Sequence, residues 1–230
     1  REQMRNFSVY KNTAWFVLLG ILVAFAIFGT KKLKQVGFVP IEVVTLSNKL
    51  QYADPVLIKE AVRKHLAAGF FGLRVNAIRE DLKTVPWIAN ATVQRSWPNT
   101  VRLKILERQP LAVWRSLGVV DTEGKLFFPA SLAALEDLPE FDGSEEQIDA
   151  MVDVYLLILA KLKPIGLAVK RLEIMPDQGW RAVLDNDISI VLGQSELEER
   201  LARFVLAYGK ISDQKIKVVD LRYTNGLAVG

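Results

Sequence analysis

Few residues in this 230-residue chain have the types and spacing that chemistry requires. There is one histidine, His65, and there are no cysteines, so disulfides, thiolate metal sites and thiol catalysis are excluded and a multi-histidine zinc site cannot be built from this chain. His65 falls seven residues after Ile58 on the apolar face of a predicted helix, where a packed, hydrogen-bonded histidine is the expectation. No serine sits in a Gly-x-Ser-x-Gly elbow, and the glycine-rich phosphate loops are absent. The paired carboxylates Glu145-Glu146 and Glu198-Glu199 fall in first helical turns, where the helix dipole favours negative charge. The residues therefore predict no catalytic, metal or cofactor site and a protein that is not an enzyme.

Recognition chemistry is better represented, at the C-terminal end. Lys217 to Tyr223 is predicted as the last strand, with Val219, Leu221 and Tyr223 alternating against Val218, Asp220 and Arg222. A last strand with no downstream element to cover it offers unpaired N–H and C=O groups to an extended partner segment. Tyr223 brings a large apolar contact at low entropic cost, unless its shared face with Val219 and Leu221 makes it core, and Arg222 can pair with carboxylates. Asp220 fits a charge that keeps an edge strand from aggregating. Gly226, after Asn225, suggests a positive φ or a close backbone approach.

The elements that would carry these residues follow from periodicity. Pro40 to Leu46 has the pattern of a strand. Asp54-Pro55 starts a helix with an N-cap and a proline at its first position, and Ile58, Ala61, Val62 and Leu66 keep helical spacing to a stop at Gly69. A second helix is expected from Asn76, with Ile78, Leu82 and Val85 on one face and Pro86 ending it. Ala91 to Trp97 and Val101 to Glu107 form a hairpin around Pro98-Asn99, completing a β-α-α-β-β order. Beyond it, strands are expected at Ala112–Arg115, Val119–Asp121, Leu126–Phe128, Val169–Met175, Trp180–Asp185 and Ile188–Leu192. Glu136 to Asp142 looks like an acidic loop. Ser144 with Gln147, and Ser195 with Glu198, announce two capped helices, the second with a buried stripe of Leu197, Leu201, Phe204, Val205 and Tyr208. The fold class is α+β: one N-terminal transmembrane helix, a β-α-α-β-β domain, and a mainly antiparallel β domain with flanking helices.

The membrane helix is expected because Asn12 to Thr30 is a run of 19 uncharged residues. At about 1.5 Å per residue it spans roughly 28 Å, close to the hydrocarbon thickness of a bilayer. Trp15, Lys11, Lys31, Lys32 and Lys34 suit its interfaces, but the three basic residues on each side leave its orientation undecided. A cleaved signal peptide and a buried core helix fit less well.

The formal charge of +4 is unevenly spread: residues 1–30 carry 3 basic and 1 acidic side chains, residues 31–116 carry 15 and 6, and residues 117–230 carry 12 and 19. The basic block lacks interleaved aromatic stacking platforms, so lipid head groups explain it better than nucleic acid. The acidic block predicts a salt-sensitive encounter with a basic partner segment.

Specific strings then point to a family. Pro86-Trp87-Ile88, Arg95-x-Trp97-Pro98, Glu107-x-Gln109-Pro110, Trp114, Asp121-x-x-Gly124 and Val219-Asp220-Leu221-Arg222-Tyr223-x-x-Gly226 occur in an order that resembles the bacterial cell-division FtsQ/DivIB family over nearly the whole chain. The resemblance implies a cytoplasmic tail over residues 1–12, shorter than usual, and a helix over 13–30 in the bacterial inner membrane. It further implies a periplasmic POTRA-like (polypeptide-transport-associated) domain with its juxtamembrane segment over 31–107, and a C-terminal β domain over 108–230. Many relatives continue past Gly230 with an aromatic residue, so part of the partner-binding tail is expected to be missing.

The implied role is a non-enzymatic scaffold at the division septum that binds FtsB and FtsL, and through them the septal peptidoglycan synthase pair FtsW and FtsI. On that reading Arg222, Tyr223, Asn225, Gly226, Ala228 and Val229 form the FtsB surface. Two alternatives stand beside it: a POTRA-containing factor in outer-membrane protein assembly or secretion, and, more remotely, a membrane-tethered periplasmic hydrolase.

Overall fold

A computed structural model describes residues 39–211 and 216–230. The expected membrane span over 13–30 lies outside these residues, and among them no helix is long and apolar enough to cross a membrane. The chain forms two compact units that part between Glu107 and Arg108.

The first unit is a three-stranded sheet with helices on one side. Strand β1 (Val43–Leu46) runs parallel to β3 (Thr100–Glu107), which pairs antiparallel with β2 (Ile88–Ser96), giving the order β1-β3-β2. Alternation places Val101, Leu103 and Ile105 of β3 in the core while Arg102 and Lys104 stay wet. Helix α1 (Pro55–Leu66) starts as its sequence predicts: the Asp54 carboxylate accepts the Val56 N–H at 2.7 Å, and Pro55 fills a position that needs no donor. It ends at Leu66, not at Gly69. Gly69, at φ +69°, instead opens a one-turn helix, α2 (Gly69–Gly72). Helix α3 (Val75–Lys83) buries Ile78 and Leu82 completely.

Two family strings have local structural jobs in this unit. The Glu107 carboxylate accepts the backbone N–H groups of Gln51, Tyr52 and Ala53 at 2.7, 2.8 and 2.6 Å, anchoring the segment that leads into α1. Trp87 stacks on Tyr52 with ring centroids 4.4 Å apart.

The second unit is a nine-stranded sheet in the order β12-β11-β10-β9-β8-β7-β4-β5-β6. Its strands are β4 (Pro110–Trp114), β5 (Gly118–Asp121), β6 (Leu126–Phe127), β7 (Glu140–Asp142), β8 (Val169–Met175), β9 (Gly179–Leu184), β10 (Ser189–Gly193), β11 (Val218–Asp220) and β12 (Ala228–Val229). Five strand pairs are antiparallel and three parallel, so the sheet is more mixed than the alternation suggests. The main source of the difference is β7, which occupies part of the expected acidic loop. Its Phe141 is fully buried, and it runs parallel to both β4 and β8.

Helices α4 (Ile148–Leu162) and α5 (Leu197–Ile211) contribute Met151, Ile158, Leu162, Leu201 and Phe204, all fully buried, to the core with the sheet. The Ser144–Gln147 capping box forms, and it caps a 3-10 turn, Glu145–Gln147, that leads into α4. Ser195 does not occupy the equivalent place before α5. Glu196, at φ +54°, stands there, and its carbonyl accepts the Arg200 N–H at 3.0 Å. The Asp121 string is also structural: this buried carboxylate accepts from the Glu123 and Lys125 N–H groups at 2.9 Å and from Arg108 at 2.8 Å, around Gly124 at φ +77°.

Candidate functional site

The C-terminal edge is built differently from its sequence pattern. Strand β11 stops at Asp220 because that side chain offers local bonds that compete with the ladder. The Asp220 carboxylate accepts the Arg222 backbone N–H at 3.0 Å and the Arg222 guanidinium at 3.0 and 2.6 Å. Arg222 beside it holds the Asp220 carboxyl below the usual carboxylate range, and the Arg222 pKa is raised by the same contact. Arg222 is therefore already paired inside its own chain. Asp220 is a turn-forming partner on an inner strand and not an edge-strand charge.

After Asp220 the chain turns through Tyr223–Asn225 and returns as β12, which covers the edge that β11 was expected to leave open. Val219 and Leu221 are fully buried, whereas Tyr223, past the end of the strand, is 59 % exposed. Tyr223 is thus surface and not core. Gly226 shows neither a positive φ nor crowding: a Cβ placed there would meet nothing within 4 Å. The expected backbone reason for glycine at 226 is absent.

The open edge belongs to β12. Val218 and Gly230 exchange both backbone hydrogen bonds, each at 3.0 Å, and Asp220 lies opposite Ala228. In an antiparallel ladder the intervening Val219–Val229 pair is the non-bonded kind, so the N–H and C=O of Val229 point away from β11. No strand pairs with them among the described residues. Beside this edge lies a shallow depression of about 480 Å³, lined by Tyr223, Thr224, Asn225, Gly226, Leu227 and Ala228. Its lining carries no charge, so the acidity of this part of the chain is not concentrated there. The structure brings Tyr223, Asn225, Gly226 and Ala228 together around the depression, sets Val229 on the edge, and turns Arg222 onto Asp220.

Sequence reasoning missed the residue that holds the turn in place. Arg203 on α5 donates to the carbonyls of Tyr223 at 2.9 Å, Thr224 at 3.0 Å and Leu221 at 3.4 Å. These carbonyls are left without ladder partners where the strand ends, and a guanidinium fork can satisfy several at once. The available signal was an arginine one position before the buried Phe204, at the margin of the predicted stripe.

The other candidate groups are quiet. His65 Nε2 lies 2.5 Å from Asp81 Oδ2, which Lys64 also reaches at 2.9 Å, and these contacts, Lys64 first, lower the Asp81 pKa. Glu146 is lowered by bonds to its own backbone and to Ser144 at the start of its turn, whereas Glu198 is lowered by an ion pair with Lys161 at 2.6 Å. Among the described residues no group of three or more histidines and carboxylates could hold a metal ion.

The first unit keeps the β-α-α-β-β order with an added one-turn helix between its two longer helices, the arrangement of a POTRA-like domain, and a mixed sheet follows it. The family model for the POTRA domain, FtsQ-type, matches residues 39–108, and that for the cell division protein FtsQ/DivIB, C-terminal, matches residues 112–222. The cell division protein FtsQ of Shewanella oneidensis is 30 % identical over 241 residues, covering 100 % of this chain and 92 % of the relative. That of Haemophilus influenzae is 31 % identical, covering 94 % and 88 %, and that of Thioalkalivibrio sp. 32 %, covering 83 % and 80 %. The chain belongs to the FtsQ/DivIB family of cell-division proteins, and this replaces the outer-membrane assembly reading.

Proposed function

We propose that this chain is a non-enzymatic scaffold of the bacterial division machinery. Residues 13–30 anchor it in the inner membrane, its two units lie in the periplasm at the septum, and it ties FtsB and FtsL to the synthase pair FtsW and FtsI. FtsB adds an extended segment to the C-terminal strand, in contact with Tyr223, Asn225, Gly226, Ala228 and Val229. Arg222 contributes through its aliphatic stem and through the turn that it and Asp220 fix.

The observation that carries this reading is the outward-facing backbone of Val229, next in sequence to Ala228, which lines a depression with the exposed Tyr223. A strand laid on that edge gains main-chain hydrogen bonds, and the open space over Gly226 leaves room for its backbone or a side chain. The site differs from its sequence-based form: the accepting edge is Ala228–Val229, with the Val218–Asp220 strand one position inside it, and the Arg222 guanidinium is already engaged by Asp220.

The test is Tyr223→Asp in the full chain, with FtsB affinity measured beside the melting temperature. Because the ring is exposed, the variant is expected to melt as the parent does and to lose FtsB binding. Undiminished binding would overturn the site.

A further inference from the structure

The tryptophans among the described residues divide sharply, and the exposed one lies in the first unit. Trp87, Trp114 and Trp180 are 9 %, 4 % and 8 % exposed, whereas Trp97 is 67 % exposed and Phe71 53 %. These two exposed rings are neighbours, with centroids 6.1 Å apart, and both pack on the buried Phe70 at 5.4 and 5.7 Å. Trp97 stands at the tip of the β2–β3 hairpin and Phe71 in the one-turn helix α2. Two exposed aromatics held side by side cost solvation in water unless something covers them.

What covers them is indicated by where the chain enters. The Phe70 N–H donates to the Val39 carbonyl at 2.8 Å, and Asn99, two residues after Trp97, accepts the Glu42 N–H at 3.1 Å. The aromatic pair therefore sits at the pole of the first unit where the chain arrives from its N-terminal part. Thr30, the last residue of the uncharged run, is separated from Val39 by residues 31–38, which reach at most about 30 Å when fully extended. The same pole is basic. Arg95 donates to the Phe70 and Phe71 carbonyls at 3.3 and 3.5 Å and remains exposed, and Arg74 is exposed just past α2. Glu42 is engaged by the Asn99 amide at 2.7 Å.

We infer that Phe71 and Trp97 are an interfacial anchor that docks this pole of the first unit onto the membrane surface, with Arg74 and Arg95 facing anionic head groups. Aromatic rings settle at the head-group level because they present an apolar body and tolerate partial hydration, and basic side chains beside them gain from the negative surface. Docking would fix the orientation of the first unit on the bilayer, where a tether alone would let it tumble. The inference rests on the proposed span over residues 13–30.

The absence of native cysteine permits single-site labelling of the full chain. Ser96→Cys places a fluorophore beside Trp97, and Ser47→Cys places one at the far end of β1. In nanodiscs of phosphatidylcholine and phosphatidylglycerol carrying head-group spin labels, the Ser96 probe is expected to be quenched at least about twofold more than the Ser47 probe. Phe71→Asp with Trp97→Asp should abolish the difference, and Trp97→Tyr, which keeps an interfacial ring, should retain it. Equal quenching of the two probes in the otherwise native chain overturns the docking, with no substitution at the aromatics needed. Flotation with vesicles after alkaline extraction separates the two readings: a chain that floats but shows equal quenching has its span and lacks the docking, and a chain that fails to float loses both.

Discussion

The Asp220 carboxylate binds its neighbour Arg222 through both backbone and guanidinium, with contacts at 3.0, 3.0 and 2.6 Å. This pair decides where β11 ends and the chain turns back towards β12. The folded-state pKa of Asp220 is depressed, chiefly by the Arg222 side chain, so its contribution to stability is present above the unfolded carboxylate pKa and is lost as pH falls through the folded one. Asp220→Asn should melt below the parent at neutral pH, and the gap should close on acidification below about pH 4. Thermal melts across that range check it; a constant gap would show that the ionised carboxylate is not the source.

Val229→Pro isolates strand addition from the fold. Proline removes the one N–H in β12 that faces outward, while the bonds of Val218 with Gly230 remain available. Partner affinity is expected to fall by more than about 30-fold, corresponding to a hot-spot loss of about 2 kcal/mol, with little change in unfolding midpoint. Parallel titration and denaturant melts read the two effects separately.

Arg203→Ala should affect both. Three carbonyls of the turn lose their donor, and loss of charged hydrogen bonds of this kind costs about 1–3 kcal/mol. Arg203→Lys should recover only part, since an ammonium cannot reproduce the planar fork. Urea melts of the three proteins, with partner binding measured on each, check the order parent, Lys, Ala.

Asp121→Ala is expected to be among the most damaging single changes in the second unit, at about 3 kcal/mol, because it removes a buried carboxylate that accepts from two turn N–H groups and from Arg108. Partner affinity measured below the new unfolding transition should stay near the parent value, since Asp121 lies across the sheet from β12.

Legibility of the sequence followed the strength of local signals. Asp54-Pro55, the Ser144–Gln147 box and the β2–β3 alternation are set by neighbours in the chain, and each appears in the structure close to its expected place. Strand β7 was hidden because Glu140-Phe141-Asp142 has a single apolar residue. Its strand character comes from β4 and β8, which are distant in sequence, and no periodicity over three residues can report that. The alternation through Tyr223 misled for the opposite reason: the hydrophobic pattern continues past the point where Asp220 takes the backbone out of the ladder. Of the six residues nominated at the C-terminal end, Tyr223, Asn225, Gly226 and Ala228 line one depression, whereas the edge at Val229, the pairing of Arg222 with Asp220 and the support from Arg203 depend on the return of the chain as β12.

That return has a consequence for biogenesis. Strand β12 is the last of the described strands and the outermost in a sheet whose interior pairs, such as Val113 with Glu140 and Glu140 with Arg171, join distant stretches of chain. Non-local pairings of this kind form slowly, and the edge cannot be displayed in its final register until β11 has docked on β10. Assembly with a strand-donating partner would thereby proofread folding, admitting finished molecules and passing over those whose sheet is incomplete.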